Sequence, residues 1–575
     1  MNTKAQGSIK DKTVEEDRYA TTLRERQEHV NAILRSPSNK KIVVAGPGTG
    51  KTYLFKSILE GKQSTLTLSF VNALVEDLSL ELCGLSEVKT LHGFALSALK
   101  KATNKIIKIF PKLSEVIKED ARILLNKAID FDHLFHNRDD DNELLAFYKM
   151  RKNYYGHYGY SDIVFAAVKY FEENSKKIPV FGQVVVDEFQ DFNSLEVSLI
   201  DLLATNSPIL LAGDDDQALY ESLKSASSKH IRQRYGDTAS GYAHFVLPYC
   251  SRCVRVIVEA TNDVITCATR DGYLTSRITK PFRYFDDEKK DGVSDDNPQL
   301  IYSQMFARQI PYFINTRILE IAEEVRDKFS VLIISPTKKQ CRSIVGALKK
   351  RGFEDISFVD KKDKGEPTLL DGLTLLLEDK KCNLGWRIAA KALLEPSDFE
   401  ALLKVSNKSD AKHFSELIEA DLKREVAKML TILRAVKDGR QSQDETELVD
   451  FLKKVGFDAY EMARDCLKEE IKSFAPRIAN LGIRKTPITA TTIQSSKGLD
   501  ADYVFITHFD DQYFIRHKDK RKVSDQDICN FLVALTRARR KVFLISSNIT
   551  KMPLFVKWID KKCIRHMSAL KKPAT

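Results

Sequence analysis

The stretch GPGTGKT, residues 46 to 52, has the residue types and the spacing that bind a row of phosphate groups. Glycines at alternate positions let backbone N–H groups turn toward phosphate oxygens, while the Lys51 ammonium adds positive charge and the Thr52 hydroxyl can ligate Mg²⁺. An apolar run precedes the stretch and a helical pattern follows it, so the helix N-terminus faces the same anion. The predicted phosphate-binding residues are Gly46, Pro47, Gly48, Thr49, Gly50, Lys51 and Thr52.

A second stretch, GQVVVDE at 182 to 188, ends in two carboxylates after an apolar run. Such a run predicts a buried strand of a parallel sheet, and the carboxyl ends of these strands are where the sheet binds its ligand. We therefore expect Asp187 to hold Mg²⁺ through water and Glu188 to orient and deprotonate an attacking water molecule. A solvated acidic strand end is the alternative.

The stretch PILLAGDDDQALY, residues 208 to 220, delivers three aspartates and a glutamine to the end of a third apolar strand. Its polar end must lie on the same edge of the sheet as the two motifs above. There Gln217 can hydrogen-bond the γ-phosphate or the attacking water, and so respond to whether a triphosphate or a diphosphate is bound. We expect the three aspartates, residues 214 to 216, to cap and position this loop.

The chain is long enough to position these motifs on more than one sheet. Its 575 residues should divide into about three to four domain-sized units. Apolar residues make up 43% and charged residues 30%, as in an ordinary globular protein. Lys and Arg number 91 against 80 Asp and Glu, a net charge of +11, which suits a polyanionic partner such as nucleic acid, although many unrelated proteins are mildly basic.

The nine cysteines follow no spaced framework, which indicates reduced thiols and a cytoplasmic protein. Cys250 and Cys253 form a CxxC pair, but no second pair or nearby histidine completes a zinc site. The N-terminal residues show no apolar signal segment, and no run approaches ~18 apolar residues, so we expect no membrane partner.

Together these motifs resemble those of the UvrD/Rep/PcrA group of superfamily 1 DNA helicases. VAGPGTGKT, VVVDEFQDFN and GDDDQALY look like motifs I, II and III. The other stretches that follow the family's order are RQEHVNAI (26–33, Q motif), TLSFVNALVEDL (67–78, motif Ia), TLHGFA (90–95, motif Ib), LPYCSRCVRVIVEATNDVI (247–265, motif IV), ATTIQSSKGLDADYVFI (490–506, motif V) and NFLVALTRARR (530–540, motif VI). The series covers nearly the whole chain.

The resemblance implies an α/β fold with two RecA-like P-loop domains, each with a parallel sheet and a mainly helical insertion. ATP and Mg²⁺ would bind in the cleft between these domains. Arg252 and Arg537 from the second domain would act as arginine fingers on the γ-phosphate, because a planar, permanently charged guanidinium stabilises the transferring phosphoryl group. Gln27 would read the adenine edge, and Asp500 stands where the family has a glutamate that contacts the ribose.

On the adenine side the sequence departs from the family pattern. Ser251 stands where the family has a tyrosine that stacks on adenine. Tyr53, directly after the phosphate loop, is the candidate replacement, and plain packing of this ring is the alternative.

On the DNA side, the positions that match family contacts to single-stranded DNA are Phe70, Asn72, His92 and Tyr220. Aromatic faces stack on any base, whereas an ordinary core aromatic or a satisfied histidine is the alternative reading of these positions. Motif III lacks its usual continuation, which leaves Lys224 as a further candidate contact. Gln494 replaces the usual histidine of motif V.

The motif positions divide the chain into two interrupted domains. The first RecA-like domain covers 1–98 and 161–245, with a helical insertion at 99–160. The second covers 246–390 and 484–575, with a helical insertion at 391–483 and a basic tail. Residues 286–297 are expected to form an acidic loop, and 329–352 a strand, a turn and a helix.

The preferred interpretation is an ATP-dependent DNA helicase or translocase that moves 3′ to 5′ on single-stranded DNA. One alternative is a DNA-stimulated ATPase motor or switch subunit of a larger repair or defence complex, for instance with a separate nuclease. Another is a pseudoenzyme that only binds DNA. A nuclease site in this chain, suggested by Asp458, Glu470 and Lys472, is disfavoured because the surrounding spacing is helical, without strand character.

Overall fold

The computed structural model describes most of the chain. The described ranges are 4–70, 72–140, 142–219, 227–325, 328–353, 356–359, 365–408, 413–437, 488–515 and 522–568, with the backbone alone for 4–17, 72–74 and 436–437. Asp458, Glu470 and Lys472 lie outside these ranges. None of the helices in the described ranges has the length and apolar character needed to cross a membrane.

The elements are numbered in chain order. The strands are β1 Lys40–Ala45, β2 Thr65–Ser69, β3 Glu87–Thr90, β4 Gln183–Val186, β5 Ile209–Gly213, β6 Ala243–Leu247, β7 Tyr249–Cys250, β8 Arg283–Tyr284, β9 Leu300–Gln304, β10 Val331–Ser335, β11 Ile356–Val359, β12 Ile488–Thr492, β13 Ala501–Ile506, β14 Ala538–Ser546 and β15 Ile564–His566. The helices are α1 Lys4–Arg35, α2 Lys51–Leu59, α3 Asn72–Glu81, α4 Leu91–Thr103, α5 Leu113–Leu125, α6 Phe131–His136, α7 Leu144–Tyr155, α8 Tyr160–Glu173, α9 Ser194–Asn206, α10 Lys229–Gly236, α11 Arg255–Arg270, α12 Glu288–Asp296, α13 Ile310–Glu324, α14 Lys338–Lys349, α15 Leu369–Glu378, α16 Asn383–Leu393, α17 Pro396–Ser406, α18 Phe414–Leu417, α19 Ala420–Lys437, α20 Asp511–Phe514, α21 Asp525–Leu535 and α22 Leu554–Trp558.

The chain folds into two compact units. The first comprises Met1–Phe94, Phe171–Lys361 and Lys485–Thr575, and the second Ala95–Tyr170 and Lys362–Arg484. The second unit therefore also includes residues 362–390, which the sequence-based division assigns to the second RecA-like domain. The domain boundaries drawn from the motifs stay a prediction.

A parallel sheet with the order β3-β2-β4-β5-β1-β6 forms the first half of the first unit. The predicted strands of the first three motifs are confirmed as β1, β4 and β5, whose apolar residues are buried. They are neighbours in the sheet: Val44 pairs with Gly213, and Val186 with Leu211. Because parallel neighbours end at the same edge, the loops that follow these strands come together there.

A second parallel sheet, with the order β11-β12-β10-β13-β14-β9-β15, lies in the same unit. Residues 329–352 form β10 and α14, as the sequence predicts. Strands β13 and β14 start side by side, with Ala501 opposite Ala538, so the residues that precede them are also neighbours. Two parallel sheets with helical crossovers confirm the predicted α/β class with two RecA-like domains.

The expectation of an acidic loop at 286–297 is wrong, because this segment contains helix α12. Asp287 caps it by accepting a hydrogen bond from the Lys289 N–H group, and Ser294 accepts one from the N–H of Arg255 at 3.1 Å. Lys290 donates to the Cys250 carbonyl at 2.9 Å. These tertiary partners hold a segment whose charged composition alone suggests a solvated loop.

The second unit is helical and contains a buried charge cluster on α5, α7 and α16. Arg151 and Arg387 are fully buried, and both donate to Asp120, at 2.9 Å and 2.7 Å. Tyr155 donates to the same carboxylate at 2.6 Å. Since Asp120 and Arg387 come from sequence segments more than 200 residues apart, this cluster joins the two segments of the unit.

Replacing Asp120 with Asn removes the charge that both buried arginines need. We expect the opening free energy of α5 and α16 to fall by about 3–5 kcal/mol, because breaking a buried ion pair leaves uncompensated charge. Hydrogen exchange of peptides from these helices measures it. The matched control is Lys391→Met, which removes a partly exposed cation 2.9 Å from Glu119 and should cost about 1 kcal/mol or less. Equal effects of the two variants would contradict the expectation.

Candidate nucleotide site

The phosphate loop after β1 adopts a conformation that needs its glycines. Gly48 and Gly50 have φ values of 68° and 93°, in the left-handed region. Thr49 closes the turn by donating to the Gly46 carbonyl at 2.9 Å. Helix α2 begins directly after the loop at Lys51, with Thr52 as its second residue, so its free N–H groups face the loop.

The carboxylates after β4 lie beside this loop. The Lys51 ammonium is 3.5 Å from Glu188, whose other oxygen accepts from Gln190 at 2.6 Å. The Oδ1 atom of Asp187 is buried, and no residue in the described ranges forms a hydrogen bond with it. A buried carboxylate oxygen without a donor is costly unless a cation satisfies it, so this atom fits a Mg²⁺ ligand, directly or through water.

The two carboxylates differ in acidity. Burial, and then the neighbouring charge of Glu188, raise the pKa of Asp187 to about 7. Burial also acts on Glu188, but the ammonium groups of Lys497 and Lys51 outweigh it and hold the pKa of Glu188 below its ordinary range. Glu188 is therefore ionised at neutral pH, and a divalent cation near Asp187 would favour its ionised form as well.

Of the three aspartates predicted to cap the loop after β5, Asp214 forms the cap, whereas Asp215 and Asp216 pair with Arg232 and Arg277. Asp214 accepts from the N–H of Asp216 at 3.1 Å and from the side-chain amide of Gln217 at 2.7 Å. The carboxylates of residues 214 to 216 lie close enough together to hold a metal ion. However, Lys280 Nζ lies 2.7 to 2.8 Å from an oxygen of each, so its ammonium already stands where such an ion would bind.

Four cations that contact these motifs are absent from the sequence-based site: Lys280, Arg277, Arg232 and Lys497. Lys280 and Arg277, which follow α11, contact the aspartates of the β5 loop, with Arg277 bidentate to Asp216. Lys497 is buried and donates to Asp191 and to the Gln217 carbonyl, the latter at 2.9 Å. A buried run of aspartates indicates that cations must be near, but no sequence signal selects these among 91 basic residues.

Arg537 contacts Gln217, the glutamine in the loop after β5 of the first sheet. It precedes β14, is buried, and donates to the side-chain oxygen of Gln217 at 3.1 Å and to the Val533 carbonyl at 2.9 Å. Burial, and then the charge of Arg252, lower the pKa of Arg537 to about 10. It remains cationic at neutral pH, next to the γ-phosphate sensor that the sequence predicts.

Arg252 lies against the phosphate loop itself. The backbone N–H of Ser251 donates to the Gly48 carbonyl at 2.9 Å, and an ideal Cβ on Gly48 would lie 2.4 Å from the Cβ of Arg252. The guanidinium pairs with Asp500 at 3.3 Å, and Asp500 also pairs with Arg539. Both predicted fingers and the predicted ribose residue are thus at the phosphate-loop edge.

On the adenine side, Gln27 and Tyr53 contact each other. The Tyr53 hydroxyl donates to Gln27 at 3.3 Å, and Gln27 donates to Asn31 at 3.1 Å. The Tyr53 ring is 47% exposed, with the Arg26 guanidinium 5.8 Å from its centroid. An exposed ring beside a glutamine amide suits a purine, although both groups are engaged with protein partners.

The predicted DNA contacts are more dispersed. Phe70 is buried edge-to-face against Phe192, with ring centroids 5.6 Å apart, and His92 Nε2 is 3.8 Å from Glu196. Asn72 begins α3, and its side chain is not described. Gln494 lies in the short 3₁₀ turn after β12. Tyr220 and Lys224 lie outside the described residues, so their predicted roles remain predictions.

The two RecA-like sheets, and the phosphate loop at the edge where β1, β4 and β5 end, define the class of P-loop enzymes that act on nucleotides. Residues 27–223 match the family described as AAA domain, and residues 397–549 match the UvrD-like helicase C-terminal domain. The chain belongs to the UvrD-like superfamily 1 helicases, a family of ATP-dependent DNA helicases, and the predicted resemblance is confirmed.

Two curated proteins are similar to the chain. A probable DNA helicase II homolog of Mycoplasma genitalium is 20% identical over 615 residues, covering 90% of this chain and 85% of that protein. A probable DNA helicase of Mycoplasma pneumoniae is 23% identical over 302 residues, covering 42% of this chain and 57% of that protein.

Replacing Gly48 with Ala should weaken ATP binding about tenfold or more, because a Cβ there would collide with Arg252 and strain a left-handed residue. Titration with a fluorescent ATP analogue measures this. Gly61→Ala is the matched control: its φ is 71°, but open space surrounds it. The control should cost about 1–2 kcal/mol of backbone strain and leave ATP affinity unchanged. Equal affinities of the two variants would contradict this account of the loop.

Proposed function

We propose that the chain is an ATP-driven motor that moves 3′ to 5′ on single-stranded DNA and unwinds duplex DNA. The observation that carries the proposal is the meeting of the two sheets at one edge. Arg537 donates there to Gln217, and Lys497 lies 3.2 Å from Glu188. A triphosphate at this edge would touch both sheets. Its binding and hydrolysis can therefore change the position of one sheet relative to the other.

The loops of the first sheet bind most of the nucleotide in this proposal. The backbone of residues 46–50 and the Lys51 ammonium hold the phosphates, and Gln27 and Tyr53 hold the base. Asp500, which precedes β13 of the second sheet, holds the ribose. Thr52 and Asp187 would hold Mg²⁺, which would supply positive charge to the phosphates. The unpartnered oxygen of Asp187 supports this assignment. Glu188, ionised at neutral pH, accepts the proton of the attacking water.

Two arginines stabilise the transition state in this proposal: Arg537, which precedes β14 of the second sheet, and Arg252, which follows β7. Arg537 donates to an uncharged amide in Gln217, and a hydrogen bond to a neutral acceptor is weaker than one to a phosphate oxygen. A γ-phosphate therefore competes well for this guanidinium. Arg252 would exchange its pair with Asp500 for the same phosphate, while Asp500 keeps Arg539 as its partner. Neither arginine needs to lose a buried partner without gaining another.

Hydrolysis would then drive movement. Loss of the γ-phosphate removes the bridge between Arg252, Arg537 and the phosphate loop, and the cleft reopens. If the two sheets grip DNA alternately, each cycle advances the strand. The proposed DNA contacts are Phe70, Asn72, His92, Tyr220, Lys224 and Gln494. Of these, Phe70 must first leave its packing against Phe192 before it can stack on a base.

A second candidate function is an ATPase motor or switch subunit of a larger repair or defence complex, with a separate nuclease or another subunit supplying what the chain lacks. The altered continuation of motif III, ESLKSAS at 221–227, supports it. Free cysteines, among them the buried pair Cys250 and Cys253, support a reducing, cytoplasmic setting for either function.

Glu188→Gln should lower DNA-stimulated phosphate release about 100-fold or more, because the general base is lost while the fold keeps an isosteric side chain. Lys51→Ala should also abolish turnover, and both variants should bind single-stranded DNA like the wild type. Lys56→Ala is the matched control, since this lysine of α2 pairs with Glu81 at the surface. Equal loss of turnover and DNA binding would contradict these roles.

A duplex with a 3′ single-stranded tail should be unwound with ATP, whereas one with a 5′ tail should not. Strand release from labelled duplexes gives the measurement, with Glu188→Gln as the inactive control. Preference for the 5′ tail would contradict the polarity. ATPase activity without unwinding, restored by a partner protein, would favour the second candidate function.

A further inference from the structure

Three consecutive aspartates are buried at the end of β5, and they are neutralised by basic side chains. Lys280 contacts all of them, at 2.8 Å from Asp214, 2.8 Å from Asp215 and 2.7 Å from Asp216. Arg277 pairs with Asp216 at 2.7 Å, and a third cation pairs with Asp215, since Arg232 lies 3.0 Å from it. Three carboxylates thus face three cations.

Of these cations, Lys280 alone reaches Asp214 in the contacts of the described residues. It is buried, with 6% of its side chain exposed. Burial by itself lowers the pKa of Lys280, but the carboxylates of Asp214, Asp216 and Asp215 raise it above the ordinary value overall. The ammonium is therefore charged at neutral pH.

Asp214 transmits this contact to the proposed γ-phosphate sensor. One of its oxygens accepts from Lys280, and the other accepts from Gln217 Nε2 at 2.7 Å. The Oε1 atom of Gln217 then accepts from Arg537 at 3.1 Å. A carboxylate can only accept and a guanidinium can only donate, so the two partners fix which way the amide faces.

We propose that Lys280 is a positioning residue for ATP hydrolysis, which holds Asp214 so that the Gln217 amide presents its oxygen toward Arg537 and the attacking water. The inference rests on the proposed function and deepens it. Without Lys280, Asp214 would lose its cation in a buried site, while Asp215 and Asp216 keep Arg232 and Arg277. The Asp214 carboxylate would then shift or take up a proton. A protonated Asp214 could donate to Gln217 Oε1 and turn the amide over, which would aim an N–H group at the Arg537 cation.

The test compares kcat and KM for DNA-stimulated phosphate release in three variants. Lys280→Met keeps the length of the side chain and removes its charge; it should lower kcat about tenfold or more, because misplacing a group by about 1 Å has effects of that size, with KM for ATP nearly unchanged. Lys280→Arg should restore most of the rate. Arg277→Met is the matched control, since it removes a cation from the same cluster that contacts Asp216 rather than Asp214; it should change kcat less than about threefold.

A double-mutant cycle separates positioning from a structural role. If Lys280 acts through Gln217, Lys280→Met should lower kcat less than about twofold further in a Gln217→Ala background. Additive losses, or equal losses from Lys280→Met and Arg277→Met, would overturn the inference. If Lys280→Met does not fold, Asp214→Ala replaces it in the double-mutant cycle, because Asp214 connects Lys280 to Gln217. A loss of kcat that nearly disappears in the Gln217→Ala background supports the inference, and additive losses overturn it.

Different results would overturn the proposed function and the positioning role of Lys280. A wild-type protein that releases no phosphate from ATP in the presence of single-stranded DNA overturns the proposed function, and the positioning role falls with it. An active wild type whose Lys280→Met variant keeps its kcat within about threefold overturns the positioning role alone.

Discussion

The hydrogen bond from Arg537 to Gln217 joins the edges of two parallel sheets, and the proposed mechanism depends on this meeting of the two edges. Parallel strands bring their carboxyl ends to one edge, so the first sheet collects a phosphate loop, two carboxylates and a glutamine there. The second sheet brings the cations Arg537 and Lys497 to the same place, and the segment after β7 adds Arg252. Electrostatic attraction between the two edges therefore favours contact, and a bound triphosphate would add negative charge between them.

Burial makes these contacts sensitive to what binds. Lys497 and Arg537 are each about 95% buried or more, and a buried cation must keep a partner at every step. Glu188, Asp191 and Gln217 provide such partners without nucleotide. When Arg537 leaves Gln217 for a γ-phosphate, it exchanges one hydrogen-bond acceptor for another. A small free-energy change can reverse this exchange. Arg537 can therefore move between two acceptors as a nucleotide binds and leaves, while Lys497 keeps its carboxylate partners.

Sequence alone predicts the elements whose signals are local. The phosphate loop, the strands before Asp187 and before Asp214, and the cap on the β5 loop follow from spacing and residue type within a dozen residues. The partners of the three aspartates do not, because Lys280 comes about 65 residues later and resembles any other lysine. The sequence does not predict helix α12 for the same reason. Its contacts with the distant residues Cys250 and Arg255 stabilise a helix that its charged composition does not indicate. The union of two helical segments through Asp120 and Arg387 likewise depends on tertiary pairing.

The central claim is that one triphosphate is held by both sheets, with Arg537 as the residue that senses it from the second. A structure with Mg²⁺ and a non-hydrolysable ATP analogue tests it most directly. The account predicts the Arg537 guanidinium within hydrogen-bond distance of the γ-phosphate, on the opposite side from Lys51. A γ-phosphate contacted by first-sheet residues alone, with Arg537 well away from it, would contradict the account.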